Sequence, residues 1–262
     1  MSYSKEELQQ LHITLYEILT QVIEACERLG VRYFIIGGSA IGAHFDGAIL
    51  PWDDDIDIGM EREDYERFCR EAEGVLPKGY TLQSPLNEPN TPYYFAKVRK
   101  DDTLFIAEDE QGLDMHHGIY VDIFPFDRVP DNRLLERLQR GVVRILNNAF
   151  VASVGKLKGG RWALVPYRAV SVLLPKSLIF KLLHSAQCVF NRCDTRRVTI
   201  VRMDRDHIER KMLHPTDRVD FGALRVAAPR ELRRYLEWHY IGLTRDVKSE
   251  DQINHRPITL KF

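Results

Sequence analysis

The first long stretch of the chain repeats apolar residues at helical spacing. Leu8, Leu11, Leu15, Ile18, Leu19, Val22, Ile23 and Cys26 recur three and four positions apart, which places them on one helix face. Ser4 and Glu7 stand ahead of the run in the spacing of a capping box, and Gly30 follows as a stop. The periodicity then shortens. Tyr33–Ile36 reads as a buried strand broken by Gly37-Gly38-Ser39, with Ser39 expected to cap a short helix reaching Phe45. Ile56-Asp57-Ile58 alternates as a strand does, and Glu61–Ala72 reads as a surface helix. Tyr80–Gln83, Tyr93–Arg99 and Thr103–Ala107 read as further strands, and Ile119–Phe124 as another, ended by Pro125.

From Asn132 the pattern turns helical. Leu134, Leu135, Leu138, Val142, Ile145 and Leu146 fit one face, Gly155–Gly160 forms a basic loop, and Leu173–Phe190 is a second apolar-faced helix. Pro229 opens a helix to about Tyr240. Strands first and helices later predict an α+β fold, with a core in residues 1–130 and a mainly helical extension, 131–262, packed on it, or both in one single domain.

With 44% hydrophobic and 29% charged residues in 262, the chain can bury a core, which excludes global disorder. No apolar run reaches 18 residues, so no membrane-spanning helix is expected. The first residues lack the basic head and apolar stretch of a secretory leader, and four irregularly spaced cysteines suggest no disulfide framework. A cytoplasmic, reducing setting is expected. The net charge of −1 conceals an asymmetry: residues 1–127 carry 10 Lys/Arg against 25 Asp/Glu, and residues 128–215 carry 18 against 6. The basic stretch, with Arg161, Trp162, Arg168, Lys176 and Lys181 among apolar residues, suits an anionic membrane surface or an anionic substrate. It lacks an aromatic-basic recognition motif, so no nucleic-acid partner is expected.

The acidic excess is concentrated in Pro51-Trp52-Asp53-Asp54-Asp55-Ile56-Asp57-Ile58-Gly59. Neighbouring carboxylates repel unless a cation offsets them. Residues two apart on a strand share a face, so Asp55 and Asp57 project together, with Asp53 able to join them. All-oxygen ligands of this kind suit Mg²⁺, or Mn²⁺ in its place. Asp54 is expected to be the solvated member. Gly37-Gly38-Ser39 between strand and helix is a turn where backbone N–H groups can meet a phosphate. Asp122 stands alone among apolar strand residues, a costly position unless it is paired or ligating, whereas Asp127 reads as a turn residue. Lys97 and Arg99 lie on one strand face. His116-His117 reads as an exposed pair, and His184, Cys188 and Cys193 as helix-packing residues without a structural zinc spacing.

Three blocks resemble the LicD family of phosphotransferases: Gly37–Ala43 with Ile49–Met60, His117–Asp127, and Tyr94–Arg99 followed by Thr103. The resemblance implies a nucleotidyltransferase-like fold, a mixed sheet flanked by helices. It also implies transfer of a phospho-alcohol, phosphocholine-like, from a CDP-linked donor to a hydroxyl of a lipopolysaccharide- or teichoic-acid-type glycan. On that basis Asp55 and Asp57 are expected to hold Mg²⁺ with Asp53 in support, and Asp122 to complete the metal site or act as base. Gly38 and Ser39 are then expected to bind donor phosphate, and Lys97 and Arg99 to neutralise it. A lipid-linked acceptor would bring the protein to the inner face of the membrane. The same carboxylates would also serve a nucleotidyltransferase that adds a nucleoside monophosphate to a small molecule.

Overall fold

The capping box closes as the sequence predicts. In the computed structural model, Glu7 N–H donates to Ser4 Oγ, Ser4 N–H donates to Glu7 Oε2, and Gly30 ends helix α1 (Lys5–Leu29) in the left-handed conformation, φ 62°. The structure describes residues 3–153, 165–200, 207–240, 242–245 and 254–262; the Gly155–Gly160 loop, Arg161 and Trp162 lie outside the described residues. Strand β1 (Phe34–Ile35) leads into α2 (Gly37–Phe45), β2 (Asp57–Glu61) and α3 (Arg62–Glu71). Strands β3 (Tyr80–Gln83), β4 (Ala96–Lys100), β5 (Leu104–Ile106) and β6 (Tyr120–Val129) follow. Helices α4 (Arg133–Ser153), α5 (Val165–Leu173) and α6 (Lys176–Cys188) precede β7 (Arg197–Ile200), β8 (Ile208–Glu209) and α7 (Arg210–Leu213). The chain continues through β9 (Asp217–Phe221), β10 (Leu224–Ala228), α8 (Leu232–His239) and β11 (Thr259–Lys261).

The α+β architecture is a mixed sheet ordered β1-β2-β6-β4-β3, with β7 also on β6 and β8 on β7. Only the β2–β6 pairing in it is parallel. Helix α1 buries Leu11, Leu15, Ile18, Leu19 and Val22 in the core that also takes Ile58, Val98, Val121 and Ile123 from the sheet. At about 25 cal/mol per Å² of apolar surface, such burial is the main term holding α1 to the strands.

Several expectations need correction. The α2 helix starts at Gly37 with Ile36 as its N-cap, so Ser39 lies inside the first turn; its hydroxyl instead accepts the Asp57 N–H at 3.0 Å, tying α2 to β2. Pro125 does not end β6. Asp122 N–H donates toward β2, to Ile56 O, and successive N–H groups alternate edges. The position of Pro125 therefore faces the other edge, where pairing with β4 stops at Ile123 and pairing with β7 begins at Phe126. A missing donor costs nothing in that gap.

Helix α4 carries its apolar residues on one face as read, and turns most of that face outward, with Leu146 packed inward. Leu134 and Leu138 are 66% and 58% exposed, and Leu135, Val142 and Ile145 are exposed too, while Glu136, Gln139, Val143, Asn147 and Phe150 face inward. The inward polar groups are bonded: Glu136 Oε2 accepts from Arg197 and Oε1 from His207, and Gln139 Nε2 donates to Ala186 O at 3.0 Å. Partnered polar groups thus outcompete the leucine stripe for the interior. The expected Leu173–Phe190 helix is α6, Lys176–Cys188, which starts after Pro175 as N-cap; Leu173 instead ends α5, from which α6 is bent by 112°. Residues 131–262 also contribute strands: β7 joins β6 and β11 pairs with β5.

Candidate active site

Register brings the chemistry together. Asp57 on β2 stands opposite Asp122 on β6, and Asp122 stands opposite Lys97 on β4, so three adjacent strands carry these side chains in one row. Lys97 Nζ donates to Asp122 Oδ1 at 2.6 Å. Asp53 and Asp55 lie in the extended segment that feeds β2. A Cβ on Gly37 would stand 2.6 Å from Asp57 Oδ2, and one on Gly38 would stand 2.3 Å from Asp53 Oδ2. The two glycines, Gly37 at φ 59°, therefore leave room for two carboxylates at the N-terminus of α2, which favours negative charge. This is a different use of Gly38 from the expected phosphate contact. Ser39 is likewise committed to the Asp57 N–H and is 2% exposed.

Electrostatics set this cluster apart. Burial, then the neighbouring carboxylates, push Asp53 up to about 8 and Asp55 up to about 6. Burial, then Asp55 and Asp122, hold Asp57 well above the usual carboxylate range, and burial raises Asp122 against the pull of Lys97. Burial lowers Lys97, opposed by Asp122. Its ammonium is caged by aromatic faces, 3.4 Å from the Tyr120 ring centroid and 4.2 Å from that of Tyr93. Four acids against one bonded ammonium leave uncompensated negative charge. An added cation bound by hard oxygen ligands would remove the repulsion. Asp53, Asp55, Asp57 and Asp122 are the residues able to hold it.

The neighbouring acids and bases take other places. Asp54, expected in solvent, is 2% exposed and accepts at 2.7 Å from both Tyr3 Oη and the His255 backbone N–H. The His255 ring lies 3.8 Å from Asp54 Oδ1 and from Asp55 Oδ2; Asp54 is the first cause of its raised pKa. Asp127, expected in a turn, is buried within β6 and accepts from Arg62 Nε at 2.8 Å, Arg62 Nη2 at 2.6 Å and Asn191 Nδ2 at 2.7 Å. Arg99 is fully buried and donates to Gln83 Oε1 and Gly118 O, both at 2.7 Å, with Glu110 at 3.7 Å. It stands behind Lys97 rather than in the row of carboxylates. His116 is bonded to Asp101, and the His117 ring lies 3.8 Å from the buried Glu110, which also accepts from Tyr93 Oη.

Sequence reasoning missed Tyr93, Tyr120, Glu110, Tyr3 and His255. Tyr120 could have been found, because it lies two residues before Asp122 and so shares its face. Nothing local links His255 to residues two hundred positions earlier.

Residues 30–139, which include β1 to β6 and the whole row, match the family described as LicD/FKTN/FKRP, nucleotidyltransferase domain. This segment of the chain is similar to the LicD family. It is similar to the lipopolysaccharide cholinephosphotransferase LicD of Haemophilus influenzae, 39% identical over 125 residues that make 47% of this chain and 46% of that one. It is also similar to the ribitol 5-phosphate transferase FKRP of Mus musculus, 42% identical over 112 residues, 43% of this chain and 20% of that one. The chain thus spans less than half the length of these LicD-family relatives. The matched segment holds all four carboxylates and Lys97, while Tyr3, His12 and His255, which fix the Asp53–Asp55 loop, lie outside it.

Proposed function

We propose that the chain transfers a phospho-alcohol group from a CDP-linked donor to a hydroxyl of a cell-surface glycan, with Mg²⁺ at the carboxylate row. The observation that carries this reading is the register-matched row Asp57–Asp122–Lys97 with Asp53 and Asp55 beside it. The activities named for the two relatives, cholinephosphotransfer and ribitol phosphate transfer, support the phospho-alcohol class. A nucleotidyltransferase-like fold is part of the same reading, supported by the family description.

Phosphoryl-type transfer asks the protein mainly to position groups and neutralise charge. A divalent ion held by Asp53, Asp55 and Asp57 would neutralise the donor pyrophosphate and stabilise its leaving oxygen. Lys97 supplies a fixed positive charge beside it, held in place by Tyr93 and Tyr120. Asp122 keeps Oδ1 on Lys97 and takes the acceptor hydroxyl proton at its other oxygen, a role its raised pKa favours. Ser39 fixes Asp57 by closing α2 onto β2.

The acceptor reading includes a membrane. Among the described residues no single helix is long and apolar enough to cross a bilayer. The exposed stripe Leu134, Leu138, Val142 and Ile145, flanked by exposed Arg133, Arg137 and Arg144, suits an anionic lipid surface bearing a lipid-linked glycan.

The test is a donor screen. CDP-choline, CDP-ribitol, CDP-glycerol and CDP-ethanolamine are offered with Mg²⁺, and CMP release is read. CMP from one donor is the expected result. Pyrophosphate release from a nucleoside triphosphate, with no CMP from any donor, would replace this reading by nucleoside monophosphate transfer.

A further inference from the structure

A second group of metal-ligating atoms lies away from the carboxylate row, where α3 meets α6. Glu66 stands on α3, and His184 and Cys188, four residues apart, share one face of α6. His184 Nε2 lies 3.3 Å from Glu66 Oε1, and Cys188 Sγ lies 3.8 Å from His184 Nε2 and 4.0 Å from Glu66 Oε1. These edges can be compared with a tetrahedral zinc site. With Zn–S near 2.3 Å and Zn–N and Zn–O near 2.1 Å, its edges are about 3.4 Å for N–O and about 3.6 Å for S–N and S–O. The N–O edge matches that tetrahedron and the two sulfur edges exceed it by about 0.2–0.4 Å; the sulfur lies 3.9 Å from Nδ1 as well, so the His184 ring turns to aim Nε2 at a shared ion.

We propose that Glu66, His184 and Cys188 form a second cation site, selective for a borderline ion such as Zn²⁺, that clamps α3 to α6. The donor set decides the selectivity. One thiolate, one imidazole and one carboxylate favour Zn²⁺, whereas the all-carboxylate row favours Mg²⁺. The surroundings support the ligands. Cys188 Sγ–H donates to Asp127 Oδ1 at 3.8 Å, a bond the thiolate gives up on binding the cation, and the Asn191 side chain, itself bonded to Asp127, favours the thiolate. The Arg62 guanidinium nearby is neutralised by Asp127. Glu66 and His184 are 44% and 39% exposed at the side chain, which gives the ion a path from solvent. Both also line a cavity of about 810 Å³ walled by Tyr94, Phe150 and Phe180. Three protein ligands leave one position of a tetrahedral ion for water or for a group entering from that cavity.

The site is independent of the proposed transfer reaction, and its test uses a spectroscopic signature. Metal-free full-length protein is titrated with Co²⁺, which reports a thiolate ligand by a sulfur-to-cobalt charge-transfer band. The band is expected at one equivalent, displaced by Zn²⁺, absent in Cys188→Ser and His184→Ala, and retained in Asp57→Asn. Zn²⁺ is expected to raise the melting temperature of the wild type and not that of His184→Ala, with far-UV circular dichroism confirming that each variant is folded. No band in the wild type, or a band that survives in Cys188→Ser, overturns the proposal. Because the band needs sulfur, failure here leaves the carboxylate reading untouched, and failure of CMP release leaves this site untouched.

Discussion

Two aspartates five residues apart on β6 meet opposite fates. Asp127 is buried with every demand met: a two-bonded guanidinium and an amide donor surround it. Asp122 is buried beside Asp57 and Asp55, with Lys97 as its bonded cation. The first is an acid built into the fold. The second belongs to a group in which the carboxylates outnumber the cations bonded to them. Burial alone therefore does not separate structural from functional acids; the balance of partners does.

The largest expected effect tests the unbalanced end. Asp57→Asn is expected to lower Mg²⁺-dependent CMP release by at least about 10²–10³-fold, the scale of removing one charge-stabilising group, while the protein stays folded. Wild-type turnover in that variant would dissolve the contrast between the two aspartates. At the balanced end, Arg62→Ala strands Asp127 and is expected to cost about 3–5 kcal/mol. That is a drop of roughly 10 °C in melting temperature. Scanning calorimetry reads it, and an unchanged Tm would show that the pair does not hold β6 to α3.

Lys97→Met comes next. It is expected to slow transfer about tenfold to a hundredfold and to shift the pH profile, because Asp122 loses the ammonium that lowers its pKa. A rate loss with an unmoved profile would make Lys97 a packing residue.

A smaller effect concerns pH in the metal-free protein. The unfolded chain ionises its aspartates near the ordinary value of 3.8, whereas folded Asp55 and Asp53 ionise at about 6 and about 8. The folded state therefore binds more protons in that window, and stability present below it is lost as pH rises toward 8. Thermal melts in chelator from pH 5 to 8 are expected to show a falling Tm that Mg²⁺ restores at pH 8. A Tm that climbs through this range would contradict the assigned electrostatics. The smallest effect is at the surface: Leu138→Glu with Val142→Glu is expected to weaken flotation with anionic liposomes and to leave soluble-donor turnover unchanged.

The sequence made the carboxylate row legible because strand alternation and four acids in five residues are local signals. Helix α1 was legible for the same reason, since its cap, stripe and stop all lie within thirty residues. What escaped was set by distant partners. Asp54 and Asp127 look like solvent-facing residues until Tyr3, His255, Arg62 and Asn191 are brought to them. The outward turn of the α4 stripe was not legible, because periodicity finds an apolar face without saying whether Glu136 and Gln139 on the other face have better partners inside. Pro125 looked like a terminator because the gap between β4 and β7 is invisible in the local sequence.

The double anchoring of Asp54 has a consequence for the order of biosynthesis. Its Oδ2 is held by Tyr3 and by the backbone of His255, which follows every strand of the mixed sheet along the chain. A ribosome-bound chain still lacking His255 can pair β2 with β6, yet its acidic loop remains tethered on one side only. The loop that would grip the cation is therefore fastened late in synthesis, after the sheet beneath it has had every residue it needs.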